Sequence, residues 1–409
     1  MKFMFVTEYF PPYVMGGAEI SLKILVDTLI KNGHKVIVLT PNYGSFKTII
    51  EKKDDLKIIR FRSFRYFLFK KREKTSYEVY NKTKPMFYVL LNQYIKYSTY
   101  EIRIRVKKIL KNEKFDVIHA NNMESILAVG PINTPAKKIA HLRDFGLFCY
   151  NRGLNKSGSL CGRCSPTNLN TCMGAEGIIN KVLERSMKKR INKSSVPSSF
   201  NFLIAISNFV KEKYIDVLHV DKNKIKVLYN PISDDISSKL SKKEARSLLK
   251  LPENKKIVLY AGSLTEAKGV YMLSDLSEKL KDHLFIVIGN GVLKELFLKK
   301  KQENLIYLGY LPISELKDYY RASDILLVPS LWHEPFGRVV LEGAYNGCYV
   351  IGSDRGGIPE VIDWLKCGVY TTPSVENFVS EITGFKEDKL KKQNLEEYNY
   401  YEKFMELLE

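Results

Sequence analysis

Short hydrophobic runs alternate with amphipathic segments along the first half of the chain. The segment 19–31 carries leucine and isoleucine on one side at the spacing of a helix, and an Asn-Gly-His turn follows it. Strands are predicted around this helix and further along the chain, at 1–7, 35–40, 115–120, 138–141 and 202–207. Strands that alternate with helices favour a parallel sheet covered by helices.

The same alternation restarts in the second half. Helices are predicted at 269–281 and 313–321, among strands at 256–261, 284–288, 305–308, 325–328 and 349–353. The pattern predicts an α/β chain with two doubly wound, Rossmann-like units, whose ligands bind at the carboxyl ends of the strands. We predict an N-terminal domain at 1–215, a C-terminal domain at 216–388 and a terminal helical segment at 389–409.

Composition and charge narrow the classes of partner. The 409 residues suit two domains, and 45% hydrophobic and 27% charged residues are typical of a folded soluble protein. The net charge of +20 favours an anionic partner, such as a phosphorylated substrate or an anionic membrane surface. No signature of a nucleic-acid-binding module occurs, so we expect no nucleic-acid partner. Met1 and Lys2 lead directly into a strand, and no apolar run reaches ~18 residues, so we expect a cytoplasmic protein without a signal peptide.

Two carboxylates mark the strongest candidate site. Glu334 and Glu342 are eight residues apart around a Phe336-Gly337 turn, between a predicted strand and a predicted helix. Backbone N–H groups at such a junction favour a phosphate, while carboxylates accept hydrogen bonds from sugar hydroxyls. The alternative is that both acids are surface charges of the helix. A glycine pair at 356–357 follows the next strand and favours a nucleotide-sugar site.

These residues resemble the E-x7-E motif of the retaining glycosyltransferases of family 4, also called glycosyl transferases group 1. The resemblance spans most of the chain. It implies the GT-B fold, in which two Rossmann-like domains face each other across a central cleft and the tail at 389–409 packs back on the first domain. It also implies that Glu342 accepts the ribose hydroxyls and Glu334 contacts the donor sugar, while amides around Phe336 and Gly337 stabilise sugar and phosphate.

Three further loops are similar to loops of that family. The loop that begins at Gly262 resembles G-R-L-x-x-x-K-G, in which the Arg and Lys hold the donor diphosphate. Ser263 stands where Arg is usual, so Lys268 is the main cation here. The Asn290-Gly291 turn is similar to the family's G-x-G at the donor site, and Gly16-Gly17 resembles its G-G-A-E loop, which approaches donor phosphate or acceptor. The alternative for each is an ordinary strand-to-helix turn.

The predicted active-site residues of the first domain follow the strand at 138–141. Family members carry a His at this strand end, commonly followed by Asp, near the donor sugar and the acceptor. Aligning Asp144 with that Asp puts Arg143 at the His position, whereas His141 lies two residues earlier on the same face. Either could stabilise the leaving phosphate or orient the acceptor, and we favour Arg143 with Asp144. A buried strand-end residue is the alternative for His141.

Four of the six cysteines lie within 24 residues, in an insert at 149–172 that follows this strand. In a cytoplasmic chain, such density favours metal over disulfides, and four thiolates suit a structural zinc site, with an iron–sulfur cluster as the second choice. Disulfide-capable thiols and buried or free cysteines are the alternatives. The candidate ligands are Cys149, Cys161, Cys164 and Cys172.

One segment of the first half interrupts the alternation. Residues 61–72 interleave five basic side chains with five aromatic ones, and a tyrosine-rich helical stretch follows. This mixture suits the interface of an anionic membrane, which predicts peripheral association with the inner face of the membrane. The alternative is a strand and a helix whose aromatic residues face the core.

The predicted function is a retaining, hexosyltransferase-type transfer from a nucleotide-sugar donor to a hydroxyl acceptor on a glycan, a lipid-linked compound or a small molecule. We expect a role in the synthesis of cell-surface polysaccharide or glycolipid. No cofactor is required for catalysis, because Lys268 and helix N-termini can stabilise the leaving diphosphate. The alternatives are a GT-B nucleotide-sugar epimerase and a non-catalytic nucleotide-sugar-binding subunit, the latter favoured by Ser263 and the displaced His.

Overall fold

The chain folds into two compact units. One comprises Met1–Pro231 and Asn399–Glu409, and the other comprises Ile232–Tyr398. The computed structural model describes residues 1–14, 16–70, 85–150, 152–156, 159–161, 168, 172, 181–187, 198–232, 236–299, 302–386 and 398–409.

The first unit is built on a sheet that is parallel except at one edge. The order of its strands is β10-β9-β6-β5-β1-β2-β4-β3, and β3 pairs antiparallel with β4. A separate hairpin is formed by β7 (Asn155–Lys156) and β8 (Ser159–Leu160). The sheet strands are β1 (Lys2–Val6), β2 (Lys35–Pro41), β3 (Ile49–Lys53), β4 (Leu56–Phe61), β5 (Val117–Ala120), β6 (Lys137–Leu142), β9 (Phe202–Ala205) and β10 (Ile225–Val227).

Helices connect these strands where the sequence switches to a helical period. Ser207 caps the helix Asn208–Leu218, because its hydroxyl accepts from the Val210 N–H at 3.1 Å, as its position before the apolar run predicts. The helices of this part of the chain are α1 (Gly17–Lys31), α2 (Arg65–Lys70), α3 (Pro85–Asn112), α4 (Met123–Val129) and α5 (Asn208–Leu218). Among the helices described in either unit, none is both long enough and apolar enough to span a bilayer.

The second unit has a fully parallel sheet in the order β13-β12-β11-β14-β15-β16. β14 is buried along its whole length and reads Ile-Leu-Leu-Val, as expected for a parallel strand covered on both faces. The strands are β11 (Lys256–Ala261), β12 (His283–Ile288), β13 (Leu305–Gly309), β14 (Ile325–Val328), β15 (Tyr349–Ser353) and β16 (Gly368–Thr371).

Amphipathic helices cover this sheet and bury their apolar sides on it. One cluster of the core includes Leu276 and Phe378 from helices and Val258, Phe285 and Ile325 from strands. The helices are α6 (Lys242–Leu248), α7 (Met272–Lys279), α8 (Lys294–Lys299), α9 (Ile313–Ala322), α10 (Arg338–Tyr345), α11 (Ile358–Leu365) and α12 (Val375–Thr383).

The division between the units falls at Pro231, later in the chain than the predicted boundary at 215/216. A cut at 215 would split α5 and remove β10, which pairs with β9 inside the first sheet. The last helix, α13 (Tyr400–Glu406), belongs to the first unit, where Phe404 packs on Phe3 and the Tyr401 hydroxyl lies 2.8 Å from His34 Nε2. Residues 389–397 of the predicted helical tail lie outside the described residues.

Candidate active site

The candidate loops of the second unit lie at one edge of its sheet, where the strand order reverses. β11 has β12 on one side and β14 on the other, so the carboxyl ends of β11 and β14 flank the switch point. Ligands of open parallel sheets bind in the crevice outside this point. The sequence puts its candidate residues after β11, β12 and β14, directly at that edge.

The loops after β11 and β12 are held together by a close backbone approach. A side-chain carbon added to Gly289, whose φ is +145°, would lie 1.8 Å from the carbonyl oxygen of Gly262. The Leu264 N–H also donates to the Asn290 carbonyl at 2.9 Å. Glycine at 289 is therefore required by both its dihedral angle and its neighbour. Ser263 and Asn290 are exposed, and Gly262 and Gly291 are partly exposed.

The loops after β14 and β15 are joined in the same way. The Gly357 N–H donates to the Glu334 carbonyl at 2.7 Å, and Glu334 and Gly356 form an isolated parallel bridge. Gly356 has a φ of +65°, and a side-chain carbon there would lie 2.1 Å from the Glu334 carbonyl oxygen. The glycine pair at 356–357 therefore fixes the backbone that carries Glu334.

Glu334 is the centre of a polar cluster on these loops. Its carboxylate forms an ion pair with Lys268 and accepts a hydrogen bond from the Ser330 hydroxyl at 2.8 Å. The ammonium of Lys268 lies 5.2 Å from the centre of the Trp332 ring, which adds a cation–π contact. The Glu334 side chain is 9% exposed and that of Lys268 25% exposed, so an incoming ligand reaches the lysine first.

Glu342 lies on α10 and is buried, which excludes the alternative that it is a solvated surface charge. Its carboxylate accepts from Arg338 Nε at 2.9 Å and from the Tyr320 hydroxyl at 3.1 Å. Burial raises the pKa of Glu342, although Arg338 and Tyr320 oppose the shift. Both carboxylate oxygens are thus oriented by neighbours, with lone pairs left for a diol.

The turn between the two acids is built as the sequence predicts. Phe336 is buried, and Gly337 precedes α10 with a φ of +88°, a left-handed conformation that suits glycine. Glu334 lies before this turn and is 7% exposed, so it is not a charge of the first helical turn.

The Gly16-Gly17 loop of the first unit lies between β1 and α1, as predicted, but one of its amides is already occupied. The Gly16 N–H donates to the Glu19 carboxylate at 2.9 Å, a capping interaction at the start of α1. Glu19 therefore competes with any phosphate or acceptor for this N–H group. The neighbouring residue 15 lies outside the described residues.

His141 belongs to the core of the first unit. It is 1% exposed, and its Nδ1 lies 3.2 Å from Nε2 of the fully buried His119 on the neighbouring strand. Burial, followed by the charge of Arg143, lowers the pKa of both histidines, that of His119 to about 3. Both rings are therefore neutral at physiological pH. This burial agrees with the alternative for His141, a buried strand-end residue, because strand β6 continues to Leu142 and keeps the ring among its neighbours. An active-site role for His141 stays a prediction of the sequence.

Arg143 and Asp144 lie just beyond the end of β6, and their side chains have different partners. Arg143 donates from Nη1 to Asn230 at 2.6 Å and from Nε to Asn121 at 3.2 Å, and only 7% of it is exposed. Asp144 accepts from the Gly146 N–H at 2.8 Å and lies 3.5 Å from Arg152. Arg143 supplies a fixed positive charge, whereas Asp144 is the more accessible group.

The cysteine insert is only partly described. Cys149 is buried, Cys161 and Cys172 are partly exposed, and Cys164 lies outside the described residues. Among the residues that are described, no group of three or more His, Cys, Asp or Glu side chains is placed to hold a metal ion. The zinc or iron–sulfur site stays a prediction of the sequence.

Sequence reasoning missed the side chains that orient the two glutamates. Arg338 could have been found, because it precedes Glu342 by one helical turn. Ser330 and Trp332 lie in the same short loop as Glu334, but nothing in their spacing indicates a contact. Tyr320 reaches Glu342 from a separate helix, a contact that depends on packing.

Each half of the chain matches a glycosyltransferase family model. The family model "Glycosyl transferases group 1" matches residues 241–402, and the model "Glycosyltransferase Family 4" matches residues 15–142. An uncharacterized 42.6 kDa protein of the cps region of Klebsiella pneumoniae is 27% identical over 375 residues, which cover 88% of this chain and 87% of that protein.

Solved structures that align with nearly the whole chain support a fold of two Rossmann-like α/β units. Sucrose-phosphate synthase from Thermosynechococcus elongatus aligns with a TM-score of 0.67 and 16% identity, covering 100% of this chain and 94% of that chain. Anabaena HepE in complex with UDP-glucose aligns with a TM-score of 0.60 and 20% identity, covering 95% of this chain and 91% of that chain.

Proposed function

The chain belongs to the family 4 glycosyltransferases of the GT-B fold, which use nucleotide-sugar donors, and we propose that it is a retaining hexosyltransferase. The observation that carries the proposal is the ion pair of Lys268 and Glu334 on loops at the switch point of the second sheet, together with the buried Glu342 on the following helix α10. A diphosphate needs a cation at this edge, and ribose and sugar need hydrogen-bond acceptors beside it. The three side chains supply both.

The proposed donor complex uses each group differently. The diphosphate binds Lys268 in place of part of its contact with Glu334, and Glu334 then accepts hydrogen bonds from the hexose hydroxyls. Glu342 accepts the ribose diol, since Arg338 and Tyr320 already orient its oxygens. Backbone amides around Phe336 and Gly337, together with the start of α10, add a favourable field for the phosphates.

Retention follows from front-face attack in this proposal. The acceptor hydroxyl approaches the anomeric carbon on the side of the leaving diphosphate, which takes the hydroxyl proton as the bond to the sugar breaks. Lys268 stabilises the negative charge that develops on the diphosphate, so the step needs no divalent cation. Addition of EDTA is accordingly expected to leave the rate of donor turnover unchanged.

A screen of nucleotide sugars tests donor binding. We expect one member of a panel of UDP-, GDP-, ADP- and dTDP-linked hexoses to raise the melting temperature by several degrees, because a ligand at about 100 times Kd stabilises the native state by about 2.7 kcal/mol. UDP-glucose is tried first, since the structurally similar HepE was solved with it. Glu342→Gln should weaken the same ligand about tenfold, as one charge-assisted hydrogen-bond acceptor is lost.

The control for this screen is Glu376→Gln, which removes a carboxylate from an exposed position on α12 of the same unit. It should leave the shift unchanged. If no nucleotide sugar shifts the wild-type protein, or if both variants lose affinity equally, the proposed donor site is excluded.

The proposal for the acceptor rests on a relative from a cps region and on an exposed aromatic surface of the first unit. The relative from the Klebsiella cps region suggests a hydroxyl acceptor of cell-surface polysaccharide synthesis, lipid-linked and presented at the inner face of the membrane. In the first unit, Phe46, Phe64 and Phe67 form a contiguous aromatic cluster, with Arg62 stacked on Phe46 at 5.3 Å. Phe64 is 56% exposed and Phe67 48% exposed, which excludes the alternative that both face the core.

This aromatic cluster is proposed to contact anionic lipid. We expect the protein to sediment with phosphatidylcholine vesicles that contain phosphatidylglycerol, less so without it and less so in high salt. Phe64→Ser combined with Phe67→Ser should lower the partition coefficient about tenfold or more, because two aromatic side chains no longer bury area in the interface. The control is Tyr310→Ser, which removes a 74% exposed aromatic residue from the second unit. Sedimentation that is equal for all three proteins would exclude the cluster as the contact.

A further inference from the structure

A second group of ionisable side chains lies at the switch point of the first sheet. There β1 has β2 on one side and β5 on the other, so the carboxyl ends of β1 and β5 flank the crevice in which open sheets bind ligands. Glu8 follows β1, and Glu124 lies in the first turn of α4, which follows β5. Nothing in the family motifs of the sequence pointed to either residue.

In the inner part of this group, the negative charge of Glu124 is compensated by the positive charge of Arg65. Arg65 is 2% exposed, forms an ion pair with Glu124 and donates to the Tyr43 hydroxyl at 3.1 Å. The Ser98 hydroxyl donates to the same carboxylate of Glu124. The ion pair and these hydrogen bonds compensate the charge of the Glu124 carboxylate at the inner end of the crevice.

Glu8 differs from Glu124 in this respect. It is 6% exposed, and its carboxylate lies 3.6 Å from Arg65 and 3.9 Å from Arg152, both beyond ordinary hydrogen-bond distance. Within the described part of the chain, no hydrogen bond to this carboxylate is formed. Burial, together with repulsion from Glu124, raises the pKa of Glu8 to about 8. A buried carboxyl without hydrogen bonds is costly to keep, and a ligand hydroxyl would supply them.

The solvent side of Glu8 has the composition of a sugar site. Arg152 and Asp144, whose side chains are 37% and 26% exposed, lie 3.5 Å apart and form its outer edge. The half-buried Tyr9 stacks on Tyr43 with ring centres 4.8 Å apart, and the Tyr43 hydroxyl donates to the Glu8 carbonyl at 3.1 Å. An aromatic face next to acids and arginines suits the apolar ring face and the hydroxyls of a hexose.

We propose that Glu8, with Arg152 and Asp144 at its outer edge and Tyr9 beside it, binds the hydroxyl groups of a saccharide acceptor. The inference rests on the proposed function and deepens it, because it assigns the acceptor to the class of sugars. An anionic ligand is disfavoured by the Asp144 carboxylate at the edge, and a cationic ligand is disfavoured by the charge of Arg152 beside it. Neutral hydroxyls have neither disadvantage.

Binding of simple glycosides tests the proposal without a known acceptor. The probes are the methyl α- and β-glycosides of glucose, galactose, mannose and N-acetylglucosamine, measured by saturation-transfer NMR on the full chain. At least one glycoside should bind to the wild-type protein, and Glu8→Ala should weaken it about tenfold, since the carboxyl group that would hydrogen-bond its hydroxyls is removed. Arg152→Gln should weaken binding of the same glycoside. Because Arg152 is partly exposed, this substitution should leave the packing of the hydrophobic core unchanged.

Two readouts separate this proposal from the donor site. Glu8→Ala should leave the thermal shift caused by the nucleotide sugar unchanged, and a shift equal to that of the wild type shows that the variant is folded. If the wild type binds no glycoside of the panel, or if both variants bind it as tightly as the wild type, the saccharide site at Glu8 is excluded. If nucleotide sugars fail to bind but glycosides bind through Glu8, the proposed function fails and this site stands.

Discussion

Replacement of Lys268 by methionine is expected to slow donor turnover about 10²–10³-fold, the loss typical of removing one preorganised group from developing transition-state charge. Lys268 is the cation that the structure holds at the carboxyl edge of β11, where it pairs with Glu334 and lies over Trp332. Ser263 provides no charge at the position where the family carries an Arg. The loss should therefore appear chiefly in kcat, measured as release of nucleoside diphosphate.

The structure provides a matched control for this effect. Lys279→Met removes an exposed lysine from α7 in the same unit and should leave turnover and stability unchanged. Lys268→Met leaves Glu334 with its hydrogen bond from Ser330, so the native fold should persist. Full activity of Lys268→Met in a folded protein would show that another group stabilises the leaving group.

The substitution Gly356→Ala should destabilise the second unit and displace Glu334. The added carbon would lie 2.1 Å from the Glu334 carbonyl oxygen, and the φ of +65° is unfavourable for alanine. The dihedral contribution is about 1–2 kcal/mol, and relief of the contact adds about 1–3 kcal/mol. The free energy of unfolding in denaturant measures the sum, and donor affinity should fall with it because the backbone of Glu334 must move.

Gly309→Ala separates these two contributions. Gly309 has nearly the same φ, +73°, but an added carbon there would meet no atom within 4 Å. It should therefore lower the free energy of unfolding only by the dihedral contribution and leave donor affinity unchanged. Equal effects of the two substitutions would mean that the contact between the loops at 334 and 356 does not hold the site.

The sequence predicted those parts of the fold that depend on local pattern. Strands such as β14 are buried on both faces, so they read as unbroken apolar runs. The edge strand β3 is exposed along its length and carries Glu and Lys, so it lacks that signal and was not predicted. The boundary at Pro231 depends on the pairing of β10 with β9, a contact between strands that a single sequence does not contain.

In the candidate site too, residues that lie in local sequence motifs could be predicted, and residues defined by contacts with distant parts of the chain could not. Glu334, Glu342 and Lys268 could be identified because they lie in short motifs at strand ends. The burial of His141 could not be predicted, because periodicity gives the face of a residue but not its depth. Here His119 and α13 cover that part of the first unit, with Phe404 packed 6.2 Å from the His119 ring. Glu8 was missed because its surroundings come from Arg65 and Arg152, which are distant in sequence.

The most direct test of the central claim is the fate of the donor nucleotide sugar without acceptor, followed by proton NMR. We expect slow release of nucleoside diphosphate by the wild-type protein, with the free sugar appearing first in the anomeric form of the donor, and at least about a hundredfold less release by Lys268→Met. Absence of protein-dependent release from a donor that binds would contradict catalysis by this site.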